Sequence, residues 1–325
     1  ILFDRRHPYG HGGLHPCLFH FSFHFQPYPA MAAGSKTGKP LTGAGRPRGP
    51  GKGFRAKKGL GQHFLVDHGV VDAMLALAGF GPRDTVLEVG PGQGALTLPL
   101  ARRVGAVIAV EKDAGLIRPL KDRLFRKSIF NVTLLHQDIL SFDLEQIPGT
   151  WEKLHIMGNL PYNISTPFMD KLIRSRDVLG RAVLMFQSEV AQRLTASPHT
   201  KAYGAMTVMV QYFTECTPLM AVPRWAFYPR PKVDSMVVGC DFQRPYPRRA
   251  LNERLFEQVV RSAFAYRRKM LINSLKGFHP EVDRKRLLTG MRRCGIDPQR
   301  RAETLDMEAF LCLTSALAID TPVIE

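Results

Sequence analysis

The sequence has few cysteines and no long apolar run. Its five cysteines (Cys17, Cys216, Cys240, Cys294 and Cys312) form no Cys-x-x-Cys pair, which argues against a zinc site and against a disulfide framework. No apolar stretch approaches the roughly 18 residues that a membrane-spanning helix needs. We therefore expect a soluble protein of the reducing cytoplasm, with no membrane partner and no metal site.

Acidic residues are scarce in two segments of the chain. Residues 1–58 contain ten Lys/Arg and one acid, and residues 241–303 contain sixteen Lys/Arg and seven acids. The intervening residues 59–240 contain nineteen Lys/Arg and sixteen acids, so the total charge of +17 is concentrated in the two flanks. Such an uneven distribution favours a polyanionic partner, nucleic acid above all, over evenly solvated surface charge.

Composition and hydrophobic pattern divide the chain into three parts. Residues 1–58 are rich in Gly, Pro and His and lack periodic apolar spacing, which predicts a disordered basic extension. The first methionine is Met31, so residues 1–30 are expected to be upstream or non-native sequence. Residues 59–245 alternate between short apolar runs and helical patterns, whereas residues 246–325 have only helical patterns, which predicts a second, small helical domain.

The alternating part predicts an α/β fold with a doubly wound, mostly parallel sheet. Short apolar runs of the buried-strand type are separated by helical patterns and stand at 85–89, 106–110, 132–135, 153–157 and 182–186. In such Rossmann-like sheets, ligands bind at the carboxyl ends of the strands. Beyond the sheet, residues 251–275 form one amphipathic basic segment, and helices are expected near 281–293 and 306–318.

A glycine-rich loop after the first of these runs indicates a cofactor site. It contains Glu88, Gly90 and Gly92, and it lacks both the Gly-Lys-Ser/Thr of a phosphate loop and the Gly-x-Gly-x-x-Gly of dinucleotide folds. Glu111 ends the next run, where a carboxylate can accept hydrogen bonds from ribose hydroxyls, and Asp138 follows the third run, where it can bind an adenine amino group. The simpler interpretation is turn glycines and a helix cap. Against it stand four functional side chains or turns at four successive strand ends: Gly90, Glu111, Asp138 and Asn159.

This arrangement resembles the class I methyltransferases. The resemblance implies S-adenosylmethionine as the cofactor, with Gly90 allowing the backbone to approach its methionine part.

The sequence Asn159-Leu160-Pro161-Tyr162 follows the fourth run and matches the motif of methyltransferases that modify exocyclic amino groups. An adenine amino group is a poor nucleophile because its lone pair is delocalised into the ring. The Asn159 side-chain oxygen and the Leu160 carbonyl can accept its two hydrogens and so direct the lone pair at a methyl donor. Pro161 stiffens the turn, and Tyr162 offers a ring on which an extruded base can stack. Asn159 is also expected to contact the cofactor. The alternative is a strand-ending turn with a buried tyrosine.

Four segments together give a more specific resemblance. They are Lys58–Leu65, Asn159–Pro167, Lys201–Gly204 and Phe227–Ser235. Over roughly residues 55–318 the chain is similar to the KsgA family of small-subunit ribosomal RNA adenine dimethyltransferases, which place two methyl groups on each of two adjacent adenosines in the 3′-terminal hairpin of that RNA.

The family resemblance also assigns roles near the cofactor and the target base. It implies a cofactor contact through the Leu65 backbone more than through His63, since the family usually has asparagine at that position. It further implies that Phe227 closes on the face of the adenine opposite Tyr162. The alternative for Phe227 is a core aromatic before a proline turn.

Basic residues at the charge maximum predict the RNA contacts. Arg261, Arg267, Arg268 and Lys269 match the same family, and a solvated helix face is the alternative. We therefore expect a cofactor-binding catalytic domain over 59–245 and a helical RNA-binding domain over 246–325. The expected partner of this monomer is small-subunit rRNA within an assembling subunit.

Three competing functions share parts of this pattern. A large-subunit rRNA adenine methyltransferase of the macrolide-resistance type has the same catalytic motif, but the stretches around Gly295–Pro298 and Arg301–Glu303 favour the small-subunit enzyme. A non-catalytic rRNA-binding assembly factor would not need the intact residues 159–162. A DNA adenine methyltransferase would need a sequence-reading domain, and none is apparent.

Overall fold

The computed structural model describes residues 61–147 and 152–318, together with Lys57 and Gly59. These residues belong to one compact unit, Lys39–Glu325. The predicted disordered extension over residues 1–58, with an upstream or non-native start at 1–30, lies outside the described residues apart from Lys57. The division near residue 245 into two domains stays a prediction.

Nine strands form two sheets in the described part of the chain: β1 (Phe64–Leu65), β2 (Thr85–Val89), β3 (Ala106–Glu111), β4 (Val132–His136), β5 (Leu154–Asn159), β6 (Leu179–Gln187), β7 (Glu215–Val222), β8 (Phe227–Tyr228) and β9 (Ser235–Asp241). The main sheet has the order β4-β3-β2-β5-β6-β9-β7, and β1 pairs with β8. The first five strands of this order are parallel, and β9 and β7 add two antiparallel pairings. The predicted doubly wound, mostly parallel sheet is confirmed.

Ten α-helices lie between or after these strands in the described part of the chain: α1 (His68–Ala78), α2 (Thr97–Ala101), α3 (Ala114–Arg126), α4 (Ser165–Arg174), α5 (Ser188–Leu194), α6 (Ala205–Phe213), α7 (Glu253–Phe264), α8 (Leu271–Ser274), α9 (Arg284–Arg293) and α10 (Met307–Leu317). Their ends follow local signals. Asp67 caps α1 by accepting a hydrogen bond from the Val70 N–H, and Gly79 ends it at a φ of +67°. No helix among the described residues is long and apolar enough to cross a membrane.

The two faces of the main sheet bury separate cores, because successive strand residues point to opposite sides. Val86 of β2 packs with α1 and α2 on one face. Leu87 and Val89 pack on the other face, in a core that runs on through α4 and α6 to Phe256 of α7 and Leu313 of α10. The C-terminal helices therefore share their apolar core with the sheet.

The basic segment 251–275 is not a single helix. Helix α7 ends at Phe264, and a turn over residues 265–270 leads into the short α8. The turn lets the start of α8 hydrogen-bond to a later loop, since the Leu271 and Ile272 N–H groups donate to the carbonyls of Arg300 and Pro298. The Arg267–Lys269 cluster consequently lies on a turn and not on a helix face.

The expectation of no disulfide is wrong for one pair. Cys294 at the end of α9 and Cys312 in α10 form a disulfide. Packing of α9 against α10 brings them together, and their sequence separation of 18 gave no signal of the pairing. Cys216 and Cys240, directly opposite each other on β7 and β9, are free thiols.

Candidate active site

A cavity of about 300 Å³ opens at the carboxyl ends of β2, β3 and β5. Its walls contain eleven of the residues predicted from sequence: His63, Leu65, Glu88, Gly90, Gly92, Glu111, Asp138, Asn159, Leu160, Pro161 and Tyr162. The expected cofactor and base-contacting residues are thus brought to one place by the ends of neighbouring parallel strands.

The glycine-rich loop after β2 needs its glycines for two reasons. Gly90 and Gly92 have φ values of +66° and +57°, in the left-handed region that side chains rarely adopt. A Cβ atom on Gly92 would also lie 3.2 Å from two ring carbons of Phe64. The loop therefore brings bare backbone to the cavity wall.

Glu111, at the end of β3, is held by backbone donors. Its two carboxylate oxygens accept hydrogen bonds from the N–H groups of Gly92 (3.0 Å) and Asp113 (2.8 Å). Burial raises the pKa of Glu111, and these two hydrogen bonds oppose the rise. Each oxygen keeps a second lone pair, which is the arrangement needed to accept two ribose hydroxyls.

Asp138 is a surface carboxylate paired with a lysine. Its Oδ2 lies 2.8 Å from Nζ of Lys112, and its Oδ1 accepts a hydrogen bond from the Leu140 N–H. These partners hold the pKa of Asp138 below its ordinary value. An ionised acceptor therefore stands at this edge of the cavity.

Glu88 is the unusual carboxyl group of the site. The side chain is 1% exposed, and its Oε2 has no hydrogen-bond partner in the described structure. Burial, with a smaller contribution from the Glu111 charge and against the opposing effect of Thr97, raises the pKa of Glu88 from 4.5 to about 8. An unpartnered buried acceptor invites a donor or a cation from a ligand.

These residues fit S-adenosylmethionine. The cofactor's methionine end is cationic, and Glu88 offers a carboxyl oxygen without a partner beside the bare backbone of Gly90 and Gly92. Glu111 and Asp138 supply acceptors for ribose and adenine donors. When bound, the cofactor supplies an electrophilic methyl group on a sulfonium centre.

Asn159 is oriented by a hydrogen bond to the backbone of a distant segment. Its Nδ2 donates to the carbonyl oxygen of His63 at 2.9 Å. Because that carbonyl can only accept, the amide nitrogen is fixed on this side, and the amide oxygen keeps its lone pairs for another donor. The adjoining Leu160 also lines the cavity, and its N–H donates to Met185.

Tyr162 is held at the cavity by two neighbours. Its hydroxyl lies 3.1 Å from Oγ of Ser235, and its ring stacks on the ring of His63 at a centroid distance of 5.5 Å. Nδ1 of His63 in turn donates to the Pro229 carbonyl at 2.7 Å. The His63 side chain therefore links the tyrosine to the loop before β9, whereas its carbonyl orients Asn159.

Phe227 does not line the cavity. It is 3% exposed and belongs to β8, which pairs with β1, and it lies in the same buried cluster as Leu65, Val222 and Ala226. The next residue, Tyr228, is half exposed. The proposed contact of Phe227 with a target base stays a prediction and requires its ring to leave this core.

The four basic residues predicted to bind RNA differ in their surroundings. Arg261 forms an ion pair with Asp170 of α4 (3.2 Å), and Arg267 donates to the Lys201 carbonyl (2.6 Å). Lys269 lies over the ring of Tyr266 at 4.4 Å. Arg268 is exposed and has no ion pair among the described residues. Two of the four thus already have internal partners, while Arg268 and Lys269 face solvent.

Sequence reasoning missed two residues that hold the site together, Asp113 and Ser235. Asp113 accepts hydrogen bonds from Lys57 (2.7 Å) and Gln62 (2.8 Å) while its Oδ1 caps α3, and these partners lower its pKa against the opposing effect of burial. Ser235 is the partner of Tyr162. The signal for Asp113 was its place as a helix cap two residues after Glu111, whereas nothing in the sequence pairs Ser235 with Tyr162.

Sequence comparisons identify the family of the chain. The model of the family described as "Ribosomal RNA adenine dimethylase" matches residues 53–318. A protein named ribosomal RNA small subunit methyltransferase A from Desulforapulum autotrophicum is 42% identical over 262 residues, which cover 81% of this chain and 92% of the relative. A relative of the same name from Geobacillus thermodenitrificans is 42% identical over 272 residues, covering 82% and 92%.

Solved structures show the same fold. A dimethyladenosine transferase from Plasmodium falciparum matches with a TM-score of 0.66 and 27% identity, covering 77% of this chain and 96% of that one. The 23S rRNA methyltransferase ErmE matches with a TM-score of 0.61 and 25% identity, covering 78% and 99%. With a family match over most of its length, relatives at 42% identity and this site geometry, the chain belongs to the ribosomal RNA adenine dimethylase family.

Proposed function

We propose that this chain dimethylates the exocyclic amino groups of two adjacent adenosines in the 3′-terminal hairpin of small-subunit rRNA, with S-adenosylmethionine as methyl donor. The observation that carries the proposal is the orientation of Asn159. Its amide nitrogen is bound to the His63 carbonyl, so its oxygen is the atom left to accept a hydrogen from an amino group.

The chemistry then follows from positions at the end of β5. The Asn159 oxygen and the Leu160 carbonyl accept the two amino hydrogens, which concentrates the nitrogen lone pair and directs it at the methyl group. Tyr162, fixed by Ser235 and His63, provides a stacking face for the extruded base. No general base is required, because the extra proton of the methylated amine leaves to water.

The RNA is expected to approach from the C-terminal helices. Arg268 and Lys269 are exposed on the turn between α7 and α8, and Arg261 and Arg267 lie beside them in the sequence. This supports an RNA-binding role for residues 246–325. We place the enzyme in the cytoplasm, acting as a monomer on an assembling small subunit.

A second candidate is methylation of large-subunit rRNA. The structural similarity to ErmE, whose name specifies 23S rRNA, favours it. The relatives at 42% identity carry the small-subunit name, against 25% identity for ErmE, and we therefore choose the small subunit.

Substitution of Asn159 tests the proposed chemistry. Asn159→Ala should lower the single-turnover rate of methyl transfer by about 10²–10³-fold, as the loss of one transition-state hydrogen bond does elsewhere. Asn159→Asp keeps an acceptor oxygen but loses the donor to the His63 carbonyl. Its rate of methyl transfer should fall between those of the wild type and of Asn159→Ala. Cofactor binding, measured by calorimetry, should remain detectable in both variants. A near-wild-type rate for the alanine variant would show that Asn159 does not activate the amine.

A further inference from the structure

A second basic surface lies at the end of the sheet opposite the cavity. It is formed by the end of α2 and the turn after α3, and it contains Arg102, Arg103, Phe125, Arg126, Lys127 and Phe130, all exposed. We call these six residues the α2–α3 patch. The patch falls in the near-neutral central part of the sequence, where the overall charge gives no sign of it.

Hydrogen bonds join the two halves of the patch. The Asn131 side-chain amide donates to the carbonyls of Ala101 (2.8 Å) and Val104 (3.1 Å), which fixes the turn after α3 against the end of α2. The Val107 N–H donates to the Asn131 carbonyl at the start of β3. The six side chains therefore lie on two segments that these hydrogen bonds hold together.

The aromatic members are unusually exposed. Phe125 and Phe130 are 73% and 76% exposed, more than any other aromatic side chain in the described residues. The buried side of α3 is formed instead by Leu116, Leu120 and Leu124. Two phenylalanines in water at one turn offer apolar rings to a partner.

The charged members have no internal partners. In the described part of the chain, the side chains of Arg102, Arg103, Arg126 and Lys127 form no ion pair and no hydrogen bond. The nearest acids in sequence are Asp122, on α3, and Glu111, whose carboxylate already accepts hydrogen bonds from the Gly92 and Asp113 N–H groups. Four free cations around two exposed rings match a polyanion that also presents flat apolar groups.

RNA with unpaired bases has both features. Its phosphates attract the cations, and each unpaired base can stack on an aromatic ring. The patch lies at the amino ends of β3 and β4, whereas the cavity lies at the carboxyl ends, so the length of β3 at about 3.3 Å per residue separates them by roughly 20 Å. The two sites lie at opposite ends of the sheet, so we expect an RNA hairpin held at the cavity to leave the patch free for another part of a ribosomal particle.

We propose that the α2–α3 patch binds unpaired nucleotides of the ribosomal particle outside the hairpin that is methylated. The patch thereby contributes to recognition of the particle without contacting the reacting base. This proposal rests on the proposed function, because the particle is the substrate inferred there.

The test compares a particle with a short RNA as substrates of the full chain. Phe125→Ala/Phe130→Ala should raise the KM for unmodified small subunits at least about fivefold, since stacking contributes about 1–3 kcal/mol per base. The kcat for the particle should stay within about twofold of wild type, and so should both constants for a hairpin carrying the target adenosines. Leu77→Ala, which removes an exposed apolar side chain of α1 outside the patch, the cavity and residues 246–325, is the control and should leave both constants unchanged.

A second variant tests the charges. Arg126→Gln/Lys127→Gln should weaken filter binding of the small subunit and reduce the slope of log Kd against log salt by about 1–2. Unchanged KM and salt slope in both variants would overturn the proposal. So would an equal effect on the hairpin, or a wild-type dimer in sedimentation that the phenylalanine variant abolishes, which would make the patch a self-interface.

Failure of the proposed function would look different. If the wild-type chain transfers no methyl group to small subunits, that function fails. The filter-binding comparison of wild type with the two variants then still decides whether the patch binds the particle.

Discussion

Asn159 has a donor end and an acceptor end, and the His63 carbonyl determines which of them remains free. The same histidine holds Tyr162 through its ring and reaches the Pro229 carbonyl. His63 therefore acts through its backbone and its packing, which explains how a residue that departs from the family's usual asparagine can be compatible with the site.

Glu88 gives a prediction on pH. The folded chain holds this carboxyl with a pKa of about 8, against an ordinary value of 4.5. Between these pH values the unfolded chain has lost a proton that the folded chain keeps. The contribution to stability is therefore fully present below pH 4.5 and is lost as the pH rises towards 8.

Glu88→Gln, which mimics the neutral carboxyl, should remove this dependence. Relative to the variant, the wild-type free energy of unfolding should fall on the order of 3–5 kcal/mol from pH 4.5 to 8.5, at about 1.4 kcal/mol per pKa unit. Urea unfolding of both proteins without cofactor measures it. Glu281→Gln, at an exposed carboxylate, is the control. If the free energy of unfolding changed with pH in the same way for wild type and Glu88→Gln, Glu88 would have an ordinary pKa in the folded chain.

At the scale of elements, the loop after β2 gives a prediction on cofactor affinity. Gly92→Ala places a Cβ at a φ of +57° and 3.2 Å from the Phe64 ring, on the residue whose N–H holds Glu111. We expect the affinity for S-adenosylmethionine, measured by calorimetry, to fall at least about tenfold, since strain of about 1–2 kcal/mol acts on the loop itself.

Gly79→Ala is the matched control for backbone strain. Gly79 ends α1 at a φ of +67°, and a Cβ there meets no atom within 4 Å. This variant should lose about 1 kcal/mol of stability but bind the cofactor as wild type does. Equal affinity in both glycine variants would show that the Gly92 loop does not shape the cofactor site.

Sequence periodicity predicted the strands correctly wherever a buried strand ends at a residue of the cavity. The apolar runs before Gly90, Glu111 and Asn159 indicated both the parallel strands and the edge at which the cavity lies. Periodicity failed at 251–275, because a tertiary hydrogen bond from Leu271 to Arg300 favours a turn over a continuous helix. The Cys294–Cys312 pair and the burial of Phe227 also depend on packing between distant segments, which local patterns do not encode.

At the scale of the whole molecule, cations occupy more than one surface. Arg268 and Lys269 are exposed near the C-terminal helices, and the α2–α3 patch lies beside β4, at one edge of the sheet. A large RNA particle can contact separated surfaces at once, whereas a small substrate cannot. The distribution of charge is therefore consistent with a ribosomal substrate.

The most direct test identifies the atoms that receive the methyl groups. Purified chain and labelled S-adenosylmethionine are offered separately to unmodified small and large ribosomal subunits, and the labelled nucleosides are mapped. We expect dimethylated amino groups on two adjacent adenosines of small-subunit rRNA, and about 1% or less of that rate with Asn159→Ala. Label on the large subunit alone, or on atoms other than adenine amino nitrogens, would contradict the proposed function.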